Sequence, residues 1–250
     1  MAASLPKVKL PNANGVEMPA LGLGCWSGTT PEQWATSKPW ILSALKSGYR
    51  LLDTAYGYGT EQYVGEAIRE SGIPREEIFV ITKLPWHHAR MVEESVERSL
   101  DALGTYIDLY LMHFPIAMVY DNDDRDPKDA EGNYRVDSAV DFKDTWAAME
   151  RVLANSNGKV RAIGVSNFSI RTLEELLETA KIVPALNQVE MHPYLQQEEL
   201  KQWQGEKGIV TCAYTPTGTL PFLLSEWIAV RWVRVHGLAM QDTARCGTTP

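Results

Sequence analysis

Cysteine is scarce in this chain and forms no pattern. Cys25, Cys212 and Cys246 are far apart, odd in number and without a CxxC pair, so neither a disulfide framework nor a cysteine zinc site organises the fold. Long apolar runs are also missing. The most apolar stretch, Leu220 to Val235, is interrupted by Glu226, Arg231 and Arg234 and is too short and too charged to span a bilayer. The opening Met-Ala-Ala-Ser-Leu-Pro-Lys has no apolar core of signal-peptide length, and a cytoplasmic location with no membrane partner is expected. Positive charge is in deficit. The 24 Lys and Arg against 32 Asp and Glu give a formal net charge of -8, which argues against a nucleic-acid partner. Phosphate-loop glycines are absent too. Gly22-Leu-Gly24 follows a strand pattern, but Ser27 stands where the third glycine of GxGxxG belongs, and no GxxxxGK[ST] occurs. A Rossmann site is therefore poorly supported.

What the chain does have is alternation. Strand patterns at Leu21–Trp26, Tyr49–Ala55, Ile78–Leu84, Ile107–Phe114, Val160–Asn167, Ala185–Met191 and Ile209–Pro216 are separated by helical patterns. In Met91–Leu103, the residues Val92, Val96, Leu100 and Leu103 share one face, and in Phe142–Asn155 so do Trp146, Met149, Val152 and Leu153. Thr30-Pro31-Glu32-Gln33 reads as an N-cap, a proline at the first helical position and a capping-box partner. Asn157-Gly158 is a helix stop. Val8–Leu10 and Val16–Met18 around Asn14-Gly15 read as a hairpin outside the alternation, a lid for a barrel bottom. Strand–helix alternation predicts an α/β fold, a parallel sheet with helices outside.

The strands end in polar groups. Tyr49 to Leu52 delivers Asp53 and, five residues later, Tyr58; Ile78 onward ends in Lys83, Ile107 onward in His113, and Val160 onward in Ser166 and Asn167. Polar side chains at the C-terminal tips of successive strands are how a (β/α)8 TIM-type barrel builds its site. The set suits proton transfer at a carbonyl or alcohol oxygen. Tyrosine is a weak acid at neutral pH, and a neighbouring ammonium favours its phenolate. An aspartate paired to that lysine holds it, and a histidine can hydrogen-bond the carbonyl. No metal is required. His87-His88 has no further ligand at metal spacing, and Asp121-x-Asp123 lacks the glycine and the glutamate of a calcium loop. The long polar connection Ile116 to Ser138 reads either as a solvated loop or as a loop shaping the substrate mouth.

Seven segments in order resemble the aldo-keto reductase family: Gly15-Val-Glu-Met-Pro19-Ala-Leu-Gly-Leu-Gly24, Asp53-Thr-Ala-Tyr-Gly-Tyr58-Gly-Thr-Glu61, Ile81-Thr-Lys83-Leu, Asp108-Leu-Tyr-Leu-Met-His113, Gly164-Val-Ser-Asn-Phe168, Asn187-Gln188-Val-Glu190 and Ala213-Tyr214-Thr-Pro216. The resemblance covers residues 7–216. It implies an oxidoreductase that reduces an aldehyde or ketone to the alcohol with NADP(H), NAD(H) remaining open. It also implies Tyr58 as general acid, its pKa depressed by a Lys83 that Asp53 holds, and His113 orienting a small-molecule carbonyl substrate. Gly24, Ser166, Asn167, Gln188, Tyr214 and Thr215 would bind cofactor. Cys25, Trp26, Trp86 and His87 would line the substrate site beside His113. A monomer is expected.

After Pro216 the resemblance stops. The eighth strand and C-terminal helices of the family have no recognisable counterpart, and the tail from Thr217 contains no lysine. The expectation is a barrel over 1–216 that lacks its usual eighth strand, followed by a divergent tail over 217–250. Trp227–Val235 could be a makeshift strand or an amphipathic helix. A catalytically impaired barrel that binds cofactor or a partner weakly is the competing reading.

Overall fold

The computed structural model describes residues 6–217 and 239–242 of the chain. It opens with the expected hairpin, β1 (Lys7–Lys9) antiparallel to β2 (Glu17–Pro19). The connecting loop turns through Asn14 and Gly15, both at positive φ, a conformation that short polar residues and glycine adopt at least cost. Leu10, Ala13, Val16 and Met18 from this hairpin are buried against Leu51, Phe79, Leu109, Ala162 and Leu186. Those partners lie at or near the starts of barrel strands, so the hairpin plugs the barrel bottom.

All seven expected strands form within their expected ranges: β3 (Leu21–Gly24), β4 (Leu51–Asp53), β5 (Phe79–Leu84), β6 (Leu109–Met112), β7 (Ile163–Ser166), β8 (Leu186–Glu190) and β9 (Val210–Tyr214). Each pairs in parallel with the next. The expected gap in the barrel is not there. An eighth strand, β10 (Ala239–Asp242), pairs in parallel with both β3 and β9 and closes the barrel. The physical reason is the open ladder: without it, β3 and β9 would each present a row of unpaired backbone groups. The closing segment is Ala-Met-Gln-Asp, which carries none of the aromatic and β-branched signal that drew attention to Trp227–Val235. That stretch lies outside the described residues.

The helices pack around the sheet as α1 (Pro31–Ala35), α2 (Ser37–Lys46), α3 (Glu61–Ser71), α4 (Val92–Leu103), α5 (Phe142–Asn155), α6 (Ile170–Leu177) and α7 (Glu198–Glu206). The Thr30/Gln33 capping box forms at α1. Val92, Val96, Leu100 and Leu103 are the buried stripe of α4, and Gly104 ends that helix in the left-handed region. Trp146, Met149 and Val152 are buried on α5. At the barrel base, the buried Asp108 carboxylate accepts hydrogen bonds from Arg75 (2.8 Å), Arg161 (2.6 Å) and the amide of Val80 (2.9 Å). That clamp leaves the opposite ends of the strands to carry the site.

Candidate active site

Lys83 points inward from β5 and is completely buried. A buried ammonium is costly unless paired, and here the pairing is full. Its Nζ donates to both carboxylate oxygens of Asp53 at 2.8 Å and to the carbonyl of Thr54 at 3.0 Å. It also reaches the Tyr58 hydroxyl at 3.5 Å and lies 4.8 Å from the centre of that ring. β4 ends at Asp53, and the 3-10 turn Tyr56–Tyr58 that follows brings Tyr58 back over the strand end. The His113 ring meets Tyr58 edge-on, with centroids 5.8 Å apart. The four residues thus converge at the C-terminal mouth of the barrel.

Charge states follow from burial. Desolvation is the largest influence on Lys83 and lowers its pKa, but Asp53 and Tyr58 together outweigh it and the net shift is upward, so Lys83 is an ammonium. Burial also raises Tyr58 more than Lys83 lowers it. The net shift is upward, and the phenol keeps its proton at neutral pH. His113 is held well below its ordinary value, by burial first and by Lys83 second. Its imidazole is neutral.

Beside this group, Ser166 donates to the carbonyl of Gln188 at 2.9 Å, so it braces β7 against β8, while Ser169 caps α6. Asn167, at positive φ, donates to the His113 carbonyl at 2.9 Å and accepts from the Tyr214 hydroxyl at 2.9 Å. The Gln188 amide lies 3.4 Å from Asp53. The Thr215 hydroxyl is buried without a hydrogen-bond partner. A groove of about 760 Å³ opens beside Asn167 and Tyr214. Gly24 lies in register with Asp53 at the end of β3. Hydroxyl, amide and phenol groups so placed offer the donors and acceptors that a carboxamide-bearing aromatic ring needs, and the orphaned Thr215 hydroxyl still has a hydrogen bond to make.

The candidate substrate residues divide. Trp26 is exposed. Trp86 packs on Phe114 and on Tyr134, each 5.2 Å between centroids, and donates its indole N–H to the carbonyl of Arg125 at 2.9 Å. Phe114 stacks on His113 at 4.7 Å. An aromatic wall therefore runs from Tyr58 to Tyr134. Cys25 is buried, and its thiol sits 3.6 Å from the carbonyl of Leu23, its pKa pushed far up by burial. His87 is buried and faces Asp123. The loop after β6 is thus not a free solvated strap. Asp123 meets His87, His88, Tyr56 and Arg98, and Arg125 lies over the Trp34 ring at 4.3 Å. Sequence reading missed Asp123 as a partner of His87-His88 because the two segments meet only through the barrel. The one signal available was the acidic cluster itself.

A model of the aldo/keto reductase family matches residues 20–226. An aldehyde reductase of Saccharomyces cerevisiae is 41% identical over 234 residues, which cover 90% of this chain and 73% of that protein. The glycerol 2-dehydrogenase (NADP(+)) of the same yeast is 42% identical over 214 residues, covering 82% of this chain and 67% of that protein. Among solved structures, the aldose reductase from Schistosoma japonicum is similar with a TM-score of 0.80 and 31% identity, over 92% of this chain and 80% of that one.

Proposed function

This chain belongs to the aldo/keto reductase family, and from that membership we propose that it is a nicotinamide-dependent oxidoreductase reducing a small aldehyde or ketone to the alcohol. The observation that carries the reading is the buried Lys83 ammonium, fixed by Asp53 and reaching the hydroxyl of a protonated Tyr58.

In this scheme the carbonyl oxygen of the substrate lies between Tyr58 and His113. The neutral imidazole of His113 donates a hydrogen bond that orients the carbonyl. Tyr58 gives its proton to the oxygen as negative charge develops there. The phenolate left behind sits beside the Lys83 ammonium, which offsets the charge until solvent returns the proton. Asp53 and the Thr54 carbonyl keep that ammonium in place. This is general acid catalysis in a preorganised field.

Ser166, Asn167 and Gln188 would hold the carboxamide of a nicotinamide, Tyr214 would cover its ring, and the Thr215 hydroxyl would find a partner on the bound cofactor. When bound, that cofactor supplies the hydride that reaches the carbonyl carbon. Trp26, Trp86 and Cys25 flank the substrate. We assign NADP(H) as the preferred cofactor, a monomer as the working unit and the cytoplasm as its place. Residues 1–216 form the reductase body, with 217–250 as a divergent tail that contributes the closing strand. No helix among the described residues is long and apolar enough to cross a membrane.

Titration of the purified protein with NADPH and, in parallel, NADH, followed by tryptophan fluorescence, tests the reading. Saturable quenching, tighter with NADPH, is expected and leads directly to an aldehyde screen. A folded protein that binds neither cofactor contradicts it.

A further inference from the structure

His87, His88 and Asp123 form a second constellation that the reductase scheme does not use as a unit. Both imidazoles are buried. Asp123 Oδ1 lies 3.3 Å from His87 Nε2 and 2.7 Å from His88 Nε2, and the three ligand atoms fall within 4.8 Å of one another. Two imidazole nitrogens and one carboxylate oxygen suit zinc-class ions, while calcium and magnesium prefer oxygen alone. Four-coordinate zinc, with bonds of about 2.0–2.1 Å, spaces its ligand atoms roughly 3.3 Å apart. The His87–Asp123 separation already matches. The His88–Asp123 contact is a hydrogen bond that must lengthen to admit an ion.

An outer shell is also present. Ser95 Oγ lies 2.9 Å from His88 Nδ1, where it donates while Nε2–H bonds Asp123 and would accept from Nδ1–H once an ion takes Nε2. Asp123 Oδ2 accepts from the Tyr56 hydroxyl at 2.6 Å and lies 3.4 Å from Arg98 Nη1, so this second oxygen is engaged while Oδ1 faces the histidines. Such partners orient the ligands of biological metal sites. His87 Nδ1, on the far side of its ring, is buried with no hydrogen-bond partner, so the outer shell is built on the His88 and Asp123 side.

We propose that His87, His88 and Asp123 bind a zinc-class divalent cation, with water completing the shell, and that the ion ties the end of β5 to the loop that follows β6. The site is empty-handed without that loop, so binding and loop order are linked.

The test uses full-length chain stripped with chelator and titrated calorimetrically with zinc sulfate, in a Cys246→Ser background to remove that thiol as a competing ligand. One equivalent is expected at micromolar affinity or tighter, with a zinc-dependent rise in Tm. Asp123→Asn and His88→Ala each remove a ligand and should weaken binding by at least about 100-fold, the upper end of what loss of an outer-shell partner alone costs. His192→Ala, beside Glu190 rather than Asp123, should leave it unchanged. If His88→Ala fails to fold, the isosteric and partly exposed Asp123→Asn decides the matter. No stoichiometric uptake by the folded chain, or uptake that Asp123→Asn does not alter, overturns the proposal and leaves Asp123 as a hydrogen-bonded loop anchor.

Discussion

At the scale of single residues, the molecule turns on a buried ion pair. Asp53 and Lys83 stabilise each other only as a pair, because either charge alone in the barrel interior lacks compensation. Lys83→Met is expected to cost about 3–5 kcal/mol in a urea denaturation series, and removing Asp53 as well should recover part of that loss. The pair also sets the pH response. Lys83 has a folded pKa above its ordinary 10.5, so its contribution is fully present below that value and fades only as pH rises through the folded one. His113 is held well below 6.5 when folded. The unfolded chain takes up a proton that the folded chain refuses, so stability falls as pH drops below 6.5. A plot of urea midpoint against pH should fall on the acid side of 6.5, and His113→Gln should make that limb shallower, with His87 and His88, also held below 6.5, supplying the rest. An unchanged acid limb in that variant would rule out His113 as a source of it. These residues were legible in the sequence because each ends an apolar run, which marks a strand tip. The direction of the net shift at Tyr58 was not, since it depends on how deeply the hydroxyl is buried against how close the ammonium comes.

At the scale of elements, close packing sets the tolerances. A Cβ on Gly65 of α3 would come 2.0 Å from the carbonyl oxygen of Leu103 at the end of α4. The helices touch backbone to backbone there, and Gly65→Ala should cost at least about 1–3 kcal/mol, the usual range for overpacking. Gly205 in α7 meets nothing within 4 Å, so Gly205→Ala should stabilise by about 0.5–1 kcal/mol. Thermal melts of the two variants check both signs together. The helices themselves were readable from the 3.6-residue stripe of α4 and α5 and from the Thr30/Gln33 box. The loop after β6 was not. Its anchoring depends on Asp123 meeting His87, His88 and Tyr56, contacts spanning more than thirty residues of chain, and no local period announces such a meeting.

At the scale of the whole molecule, closure is the central structural fact. β10 contributes four residues yet pairs on both sides, so it removes two edges at once. A chain ending at Thr217 should lose cooperative unfolding and associate through the exposed edges of β3 and β9, which size exclusion and a urea titration would show. A truncated chain that stays monomeric and melts at the same temperature would contradict that role. The seven-strand alternation was clear in the sequence because buried parallel strands are apolar runs. The eighth was hidden because Ala-Met-Gln-Asp has no strand signature of its own and is drawn into the sheet by the edges waiting for it.

The measurement that bears most directly on the account is the steady-state rate of NADPH-dependent aldehyde reduction by Tyr58→Phe beside the native chain, with cofactor affinity measured in parallel. Loss of the Tyr58 hydroxyl, the general acid of the scheme, should lower kcat by roughly 10²–10⁴-fold while cofactor affinity stays near the native value. A Tyr58→Phe enzyme that reduces aldehydes at close to the native rate would contradict the assignment of Tyr58 and, with it, the reductase mechanism drawn from this site.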